Sequence, residues 1–159
     1  MIDYFKLLIN SLRRDDNNLE IVNISVLECE MVYTFDVFQH GVSDEVKYLY
    51  NHYKKFMLHW EEKNQKLDGY IHFVPYEDLR KEYEEMCELA ESVEEDLIED
   101  QVQVTNDLKN WYPVFKFPNG DAFCYDKRTG KIVFFEHEVF DGGINLHGLI
   151  IAESIDDLF

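Results

Sequence analysis

Residues 111–137 read Trp-Tyr-Pro-Val-Phe-Lys-Phe-Pro-Asn-Gly-Asp-Ala-Phe-Cys-Tyr-Asp-Lys-Arg-Thr-Gly-Lys-Ile-Val-Phe-Phe-Glu-His. Three runs rich in aromatic and β-branched residues stand out: Tyr112–Phe117, Asp121–Asp126 and Lys131–His137. Two turn signals separate them, Asn119-Gly120 and Asp126-Lys127-Arg128-Thr129-Gly130. Short β-prone runs joined by such turns predict a three-stranded antiparallel meander. Both faces of the meander carry aromatic side chains. One face therefore packs on helices, and the other is either covered by the N-terminal part or left as an exposed patch.

Upstream, Phe56–Glu61 and Gly69–Val74 alternate apolar and polar residues around a polar connection, which predicts a hairpin with a long loop. Pro75 follows, with Glu77 and Asp78 placed for a helical first turn. Leu79, Tyr83, Met86, Ala90, Val93 and Leu97 then recur at spacings of four and three, one apolar stripe along a helix. Ser43-Asp44 caps an earlier helix through Tyr53, with Val46, Leu49 and Tyr50 inward. Residues 2–14 form an amphipathic helix on Tyr4, Phe5, Leu8, Ile9 and Leu12. Ser25-Val26-Leu27-Glu28 has the capping-box form and predicts another helix running to about Phe38. A last short helix starts at Ser154. The expected fold is α+β: an antiparallel sheet covered by helices, with a helical N-terminal part and a C-terminal β-meander. The 159 residues suit a single domain.

Charge narrows the function. Lys and Arg number 15 and Asp and Glu 33, a formal charge of −18. Such a surface repels phosphate backbones and anionic membranes, which argues against both as partners, and it steers encounter with basic proteins. The charge is concentrated. Between Glu77 and Asp100, 12 acids and 2 bases leave −10. Glu84/Glu88 and Glu91/Glu95 are like-charge pairs at i, i+4, each destabilising by a few tenths of a kcal/mol. Glu84, Glu88, Glu91, Glu94 and Glu95 are therefore the candidate contacts for a basic partner. A solvated solubility face is the competing explanation of the same residues.

Motifs for catalysis are absent. There is no G-x-S-x-G, no Walker A, no G-x-G-x-x-G, no HExxH and no EF-hand loop. Six histidines lack metal-ligand spacing, so neither a metal nor another cofactor is expected. Cys29, Cys87 and Cys124 are odd in number and form no CxxC, which suits reduced thiols in a cytoplasmic protein. The start lacks the basic flank of a signal peptide, and no run approaches the roughly 20 apolar residues of a membrane span.

The run Trp111-Tyr112-Pro113-Val114-Phe115, Asn119-Gly120-Asp121 through Asp126, and Gly130-Lys131-Ile132-Val133 through Glu138 resembles the SUKH superfamily. The strand bearing Trp60, the segment Gly69–Pro75 entering a helix, and the closing Ile151–Phe159 are similar too. The resemblance covers Val42 to Phe159 and leaves residues 1–41 as a helical N-terminal part outside it. The chain departs from the family at His52–Lys55, where a glycine is common, and in the length of its acidic helix. The resemblance implies an α+β fold in which Trp60, Trp111, Gly120, Asp121, Asp126 and Gly130 are mainly structural. It implies a non-enzymatic protein-binding role. Bacterial members are typically immunity proteins that neutralise a cognate toxin, often a nuclease, and fungal members regulate cell-wall synthesis. The alternatives are a scaffold of the same fold without a toxin partner, and a small hydrolase built on a carboxylate or on His137 and His147.

Overall fold

A computed structural model describes residues 4–14, 18–28, 30–38, 41–64, 67–93, 106–138 and 146–159. The elements are α1 (Tyr4–Leu12), β1 (Leu19–Glu28), α2 (Asp44–His52), β2 (Tyr53–Glu62), β3 (Asp68–Phe73), α3 (Tyr76–Val93), β4 (Trp111–Lys116), β5 (Ala122–Asp126), β6 (Ile132–Phe135), β7 (Ile150–Ala152) and α4 (Ile155–Leu158). All seven strands join one antiparallel sheet in chain order, β1 to β7. The α+β class, the expected hairpin and meander, and every expected helix except that from Ser25 to about Phe38 are present.

Residues 25–38 depart from expectation. Ser25–Glu28 ends a strand that pairs with β2, Val26 opposite Phe56 and Ile24 opposite Leu58. Residues 30–38 have neither helix nor strand. The N-terminal part is thus one helix followed by an edge strand. The capping box was overridden because Ile21–Leu27 is rich in β-branched residues and finds a ladder partner, which outweighs a local helix start. Phe35 takes a positive φ of 54°, and the segment serves as an aromatic strap. Tyr33 stacks on Tyr76 at 4.0 Å, and Phe38 meets Tyr112 edge-on at 4.6 Å.

Local chemistry explains most other elements. The Ser43 side chain accepts from the Val46 N–H, and Val46, Leu49 and Tyr50 are wholly buried. Ser154 caps α4 in the same way, accepting from the Asp157 N–H. The Pro75 carbonyl accepts from the N–H groups of Asp78 and Leu79 and starts α3. At 117–121 the turn differs from a two-residue Asn-Gly hairpin. The Gly120 N–H donates to the Phe117 carbonyl and the Phe117 N–H to the Asp121 carbonyl. This is a three-residue loop with Pro118 and Asn119 at its tip and only Gly120, at φ 97°, in the left-handed region. Gly130, at φ 78°, closes the next turn.

The sheet has two cores. On its first face α1, α2 and α4 bury Phe5, Leu49, Phe56, Phe73, Phe115 and Ile155. Phe5 is the hub: its ring stacks on Phe56 at 3.7 Å and meets Tyr53, Phe115 and Phe159 edge-on. On the second face Met86 of α3 and Leu108 cover Trp111, Ala122, Cys124, Val133 and Phe135. Helix α3 bridges the two, since its Leu79 belongs to the first core and its Met86 to the second. Over β1–β3 the second face carries Asn23, Ser25, His59, Tyr70 and His72, the polar half of an alternating pattern.

Gly69 sits opposite Trp60. A Cβ there would lie 2.2 Å from the indole carbons Cε2 and Cζ2, so the ring lies directly over the glycine. Gly69→Ala should push the Trp60 indole outward and destabilise by about 1–2 kcal/mol. Denaturant unfolding together with a red shift of tryptophan emission would show this. Unchanged emission and stability would mean that the ring does not cover Gly69.

Candidate functional site

The expected partner-binding residues lie on α3. Glu84, Glu88 and Glu91 are exposed there, while Glu94 and Glu95 fall outside the described residues, as does Leu97 of the apolar stripe. Three other acids of this helix are neutralised: Glu77 by Lys54 at 3.8 Å, Glu82 by Lys116 at 2.6 Å and Glu85 by Lys81 at 3.1 Å. Among the described residues no ion pair involves Glu84, Glu88 or Glu91. Leu79 and Met86 are buried and Tyr83 is half-buried, so the stripe and the ridge occupy opposite sides of the helix. The Tyr83 hydroxyl donates to the Lys109 carbonyl at 2.7 Å and ties α3 to the segment before β4.

A second acidic feature is visible only in the register. Glu20 lies opposite Glu61, and Glu61 opposite Asp68, on adjacent strands β1, β2 and β3. Directly opposed side chains have Cβ atoms about 4.5–5.5 Å apart, and like charges so placed repel. His59 Nε2, 3.5 Å from Asp68, faces one end of the row. Nothing in the one-dimensional pattern marks these three acids, which are spread over almost fifty positions of the chain.

The motif residues divide between structure and surface. Trp111 is buried in the second core beneath His147, whose ring lies 4.8 Å away. Asp126 and Asp107 are both buried and share one cation. Arg128 Nη2 reaches Asp126 at 2.7 Å and Asp107 at 2.8 Å. Burial pushes the Asp126 pKa upward, but the hydrogen bonds and charge of Arg128 prevail and hold it below the usual carboxylate value. His147 Nε2 stands 3.8 Å from the other oxygen of Asp107. The network joins the helical turn at 106–108, the β5–β6 turn and the segment before β7. That supports a structural reading of Asp126 and Gly130.

Asp121 works differently. One oxygen accepts from the His137 backbone N–H at 3.0 Å and pairs with His137 Nδ1 at 2.7 Å. The other accepts from the Asn119 amide at 2.6 Å. Burial would raise the Asp121 pKa, but these hydrogen bonds hold it lowered. The same contact raises that of His137. Strand β6 therefore stops at Phe135, and His137 bends back over the β4–β5 turn, its Cβ 3.2 Å from where a Gly120 Cβ would lie.

Beside this turn an open groove of about 520 Å³ runs over the first face, walled by Trp60, Phe117, Phe123 and Phe134 and floored by Gly69. All four rings are half-buried, Trp60, Phe117 and Phe123 against the first core, so this face of the meander is partly covered rather than an exposed aromatic patch. Cys124 is fully buried and burial pushes its thiol pKa up, as suits an inert thiol; Cys87 is half-buried, and Cys29 lies outside the described residues. Among the described residues no three His, Cys, Asp or Glu side chains converge as a metal site would need, and no helix is long and apolar enough to cross a membrane. No protein-family model, curated protein or solved structure matches the chain.

Two outcomes follow from these pairs. Arg128→Met leaves two buried carboxylates without their cation. It should destabilise by about 2–3 kcal/mol, the lower end for a broken buried pair because the guanidinium is itself about a third exposed. An unaltered denaturation midpoint would sink this. The His137–Asp121 pair sets a pH window. His137 has a folded pKa above 6.5, so its contribution is full below 6.5 and fades as pH rises through the folded value. Asp121 has a folded pKa below 3.8, so its contribution is full above 3.8 and fades as pH falls through the folded value. Support from the pair is greatest between the two. His137→Gln should flatten the stability profile from pH 6 to 9 relative to the parent chain, which parallel urea titrations would detect.

Proposed function

We propose that this chain is a non-enzymatic binding domain for a basic protein, an immunity protein that neutralises a cationic toxin domain such as a nuclease. One observation carries the reading. Among the described residues the outer side of α3 presents Glu84, Glu88 and Glu91 without cationic partners, while Glu77, Glu82 and Glu85 are paired within the fold. Carboxylates held apart from internal cations on a rigid helix are available to an external one. A nuclease surface that binds phosphates would accept them in place of nucleic acid. The SUKH resemblance implies the same role. Arg128 is held in hydrogen bonds to Asp126 and Asp107, and Cys124 is buried, so neither offers a poised nucleophile, which supports binding rather than catalysis.

The test is co-expression with the toxin domain encoded by a neighbouring gene. Growth should be restored, and continued killing would sink the immunity reading. Glu84→Gln/Glu88→Gln/Glu91→Gln should keep or slightly raise stability, because a like-charge i, i+4 pair is removed. It should slow association with the toxin by roughly 3–10-fold at low salt and flatten the salt dependence. An unchanged on-rate and salt slope would make the ridge a solubility surface.

A further inference from the structure

The two edges of the sheet are unlike. Strand β7 has three residues, and a short edge strand offers little to pair with. Strand β1 has ten residues and stands at the other end of the sheet. Among the described residues its backbone hydrogen-bonds only to β2, so its outer N–H and C=O groups are open. It has no charged side chain between Glu20 and Glu28, and Val22, Val26 and Leu27 are exposed. A bulge at Val22 interrupts the edge, but Asn23–Leu27 continues in regular register.

A groove follows this edge. Its lining includes six consecutive residues, Leu19 to Ile24, with Leu12 and Arg13 at the end of α1 forming the opposite wall. Consecutive strand residues point to alternate faces, so a hollow touched by all six lies along the backbone edge itself. About 550 Å³ is open there, enough for several residues of extended chain.

Charge identifies the occupant. On the second face the row Glu20–Glu61–Asp68 ends at this edge. A strand added beside β1 would place its next side chain directly opposite Glu20. Lys or Arg there extends the row with the opposite sign. On the first face the same strand would set its alternate residues beside Ile21, Ile24 and Leu12, which favours apolar side chains. A second copy of this chain, at −18, would bring like charge to the edge.

We propose that β1 is a docking edge for an extended segment of the basic partner, which adds as an eighth strand with basic residues on the Glu20 face and apolar residues on the α1 face. This rests on the reading that the partner is basic, and it says how part of that partner is held.

The probe is a capped peptide of alternating lysine and valine, as long as β1, titrated into the isotope-labelled full chain. The amide resonances of β1 should shift and their exchange with solvent should slow. Glu20→Lys should weaken the peptide by about tenfold at low salt. Methylation of alternate peptide nitrogens should abolish binding, because the ladder needs those donors. Equal binding by the methylated peptide, or by a glutamate–valine peptide, would overturn the proposal. So would shifts confined to α3 and lost in the triple Gln variant. That last result would keep the basic-partner reading and reject only the strand. Failure to bind the lysine–valine peptide while the toxin still associates through α3 would do the same. Sedimentation as a dimer with β1 amides already protected would give the edge to a second copy and overturn the proposal as well.

Discussion

The fold hangs on the double burial of β4. Trp111 to Phe115 are all buried, although alternate strand residues face opposite sides of a sheet. Tyr112 and Phe115 enter the core beneath α1 and α2, and Trp111 enters the core beneath α3. A strand covered on both faces can hold an almost unbroken apolar run only if layers exist on both sides. Its ladder to β3 is just two pairs long, His72–Lys116 and Phe73–Phe115. Pro113, which has no N–H to give, lies where β4 shifts register against β5. Where β3 and β4 part, the chain leaves the sheet as α3 and reaches both cores.

This arrangement explains the uneven surface. With β4–β6 enclosed, acids gather on the outer side of α3 and on the open half of the sheet over β1–β3. Those acids that touch the enclosed part are paired: Glu82 with Lys116, Asp126 and Asp107 with Arg128. Those on the two outward areas, Glu84, Glu88, Glu91 and the Glu20–Glu61–Asp68 row, have one histidine as their cationic partner among the described residues. Opposed charges are therefore spent where burial would otherwise penalise a lone carboxylate, and left unbalanced where water screens them.

Elements stabilised by local chemistry were legible in the sequence. The Ser43 and Ser154 caps, the Pro75 start, the 3–4 stripe of α3 and the Gly120 and Gly130 turns each depend on residues a few positions apart. The strand β1 was not, because Ser25-Val26-Leu27-Glu28 satisfies a helix rule locally and its strand partners lie about thirty positions downstream. Strand β7 is too short to show a period. The α3 ridge was legible from composition alone. The acid row across β1–β3 and the Arg128 link to Asp107 were not, since both depend on tertiary register.

The order of the strands bears on how the chain assembles. Every strand neighbours the next one in sequence, and the β2–β3, β4–β5 and β5–β6 pairs close short loops, so the sheet can grow by successive additions. The Phe5 ring is the exception. It stacks on Phe56 and meets Phe73, Phe115 and Phe159, partners strung along nearly the whole chain. Seating α1 therefore carries the largest contact order in the molecule and is the step that topology makes slow. Until it seats, Phe56 lacks the ring stacked on it, and the first face of β2 and β3 has its cover from α2, through Tyr50 on Phe73.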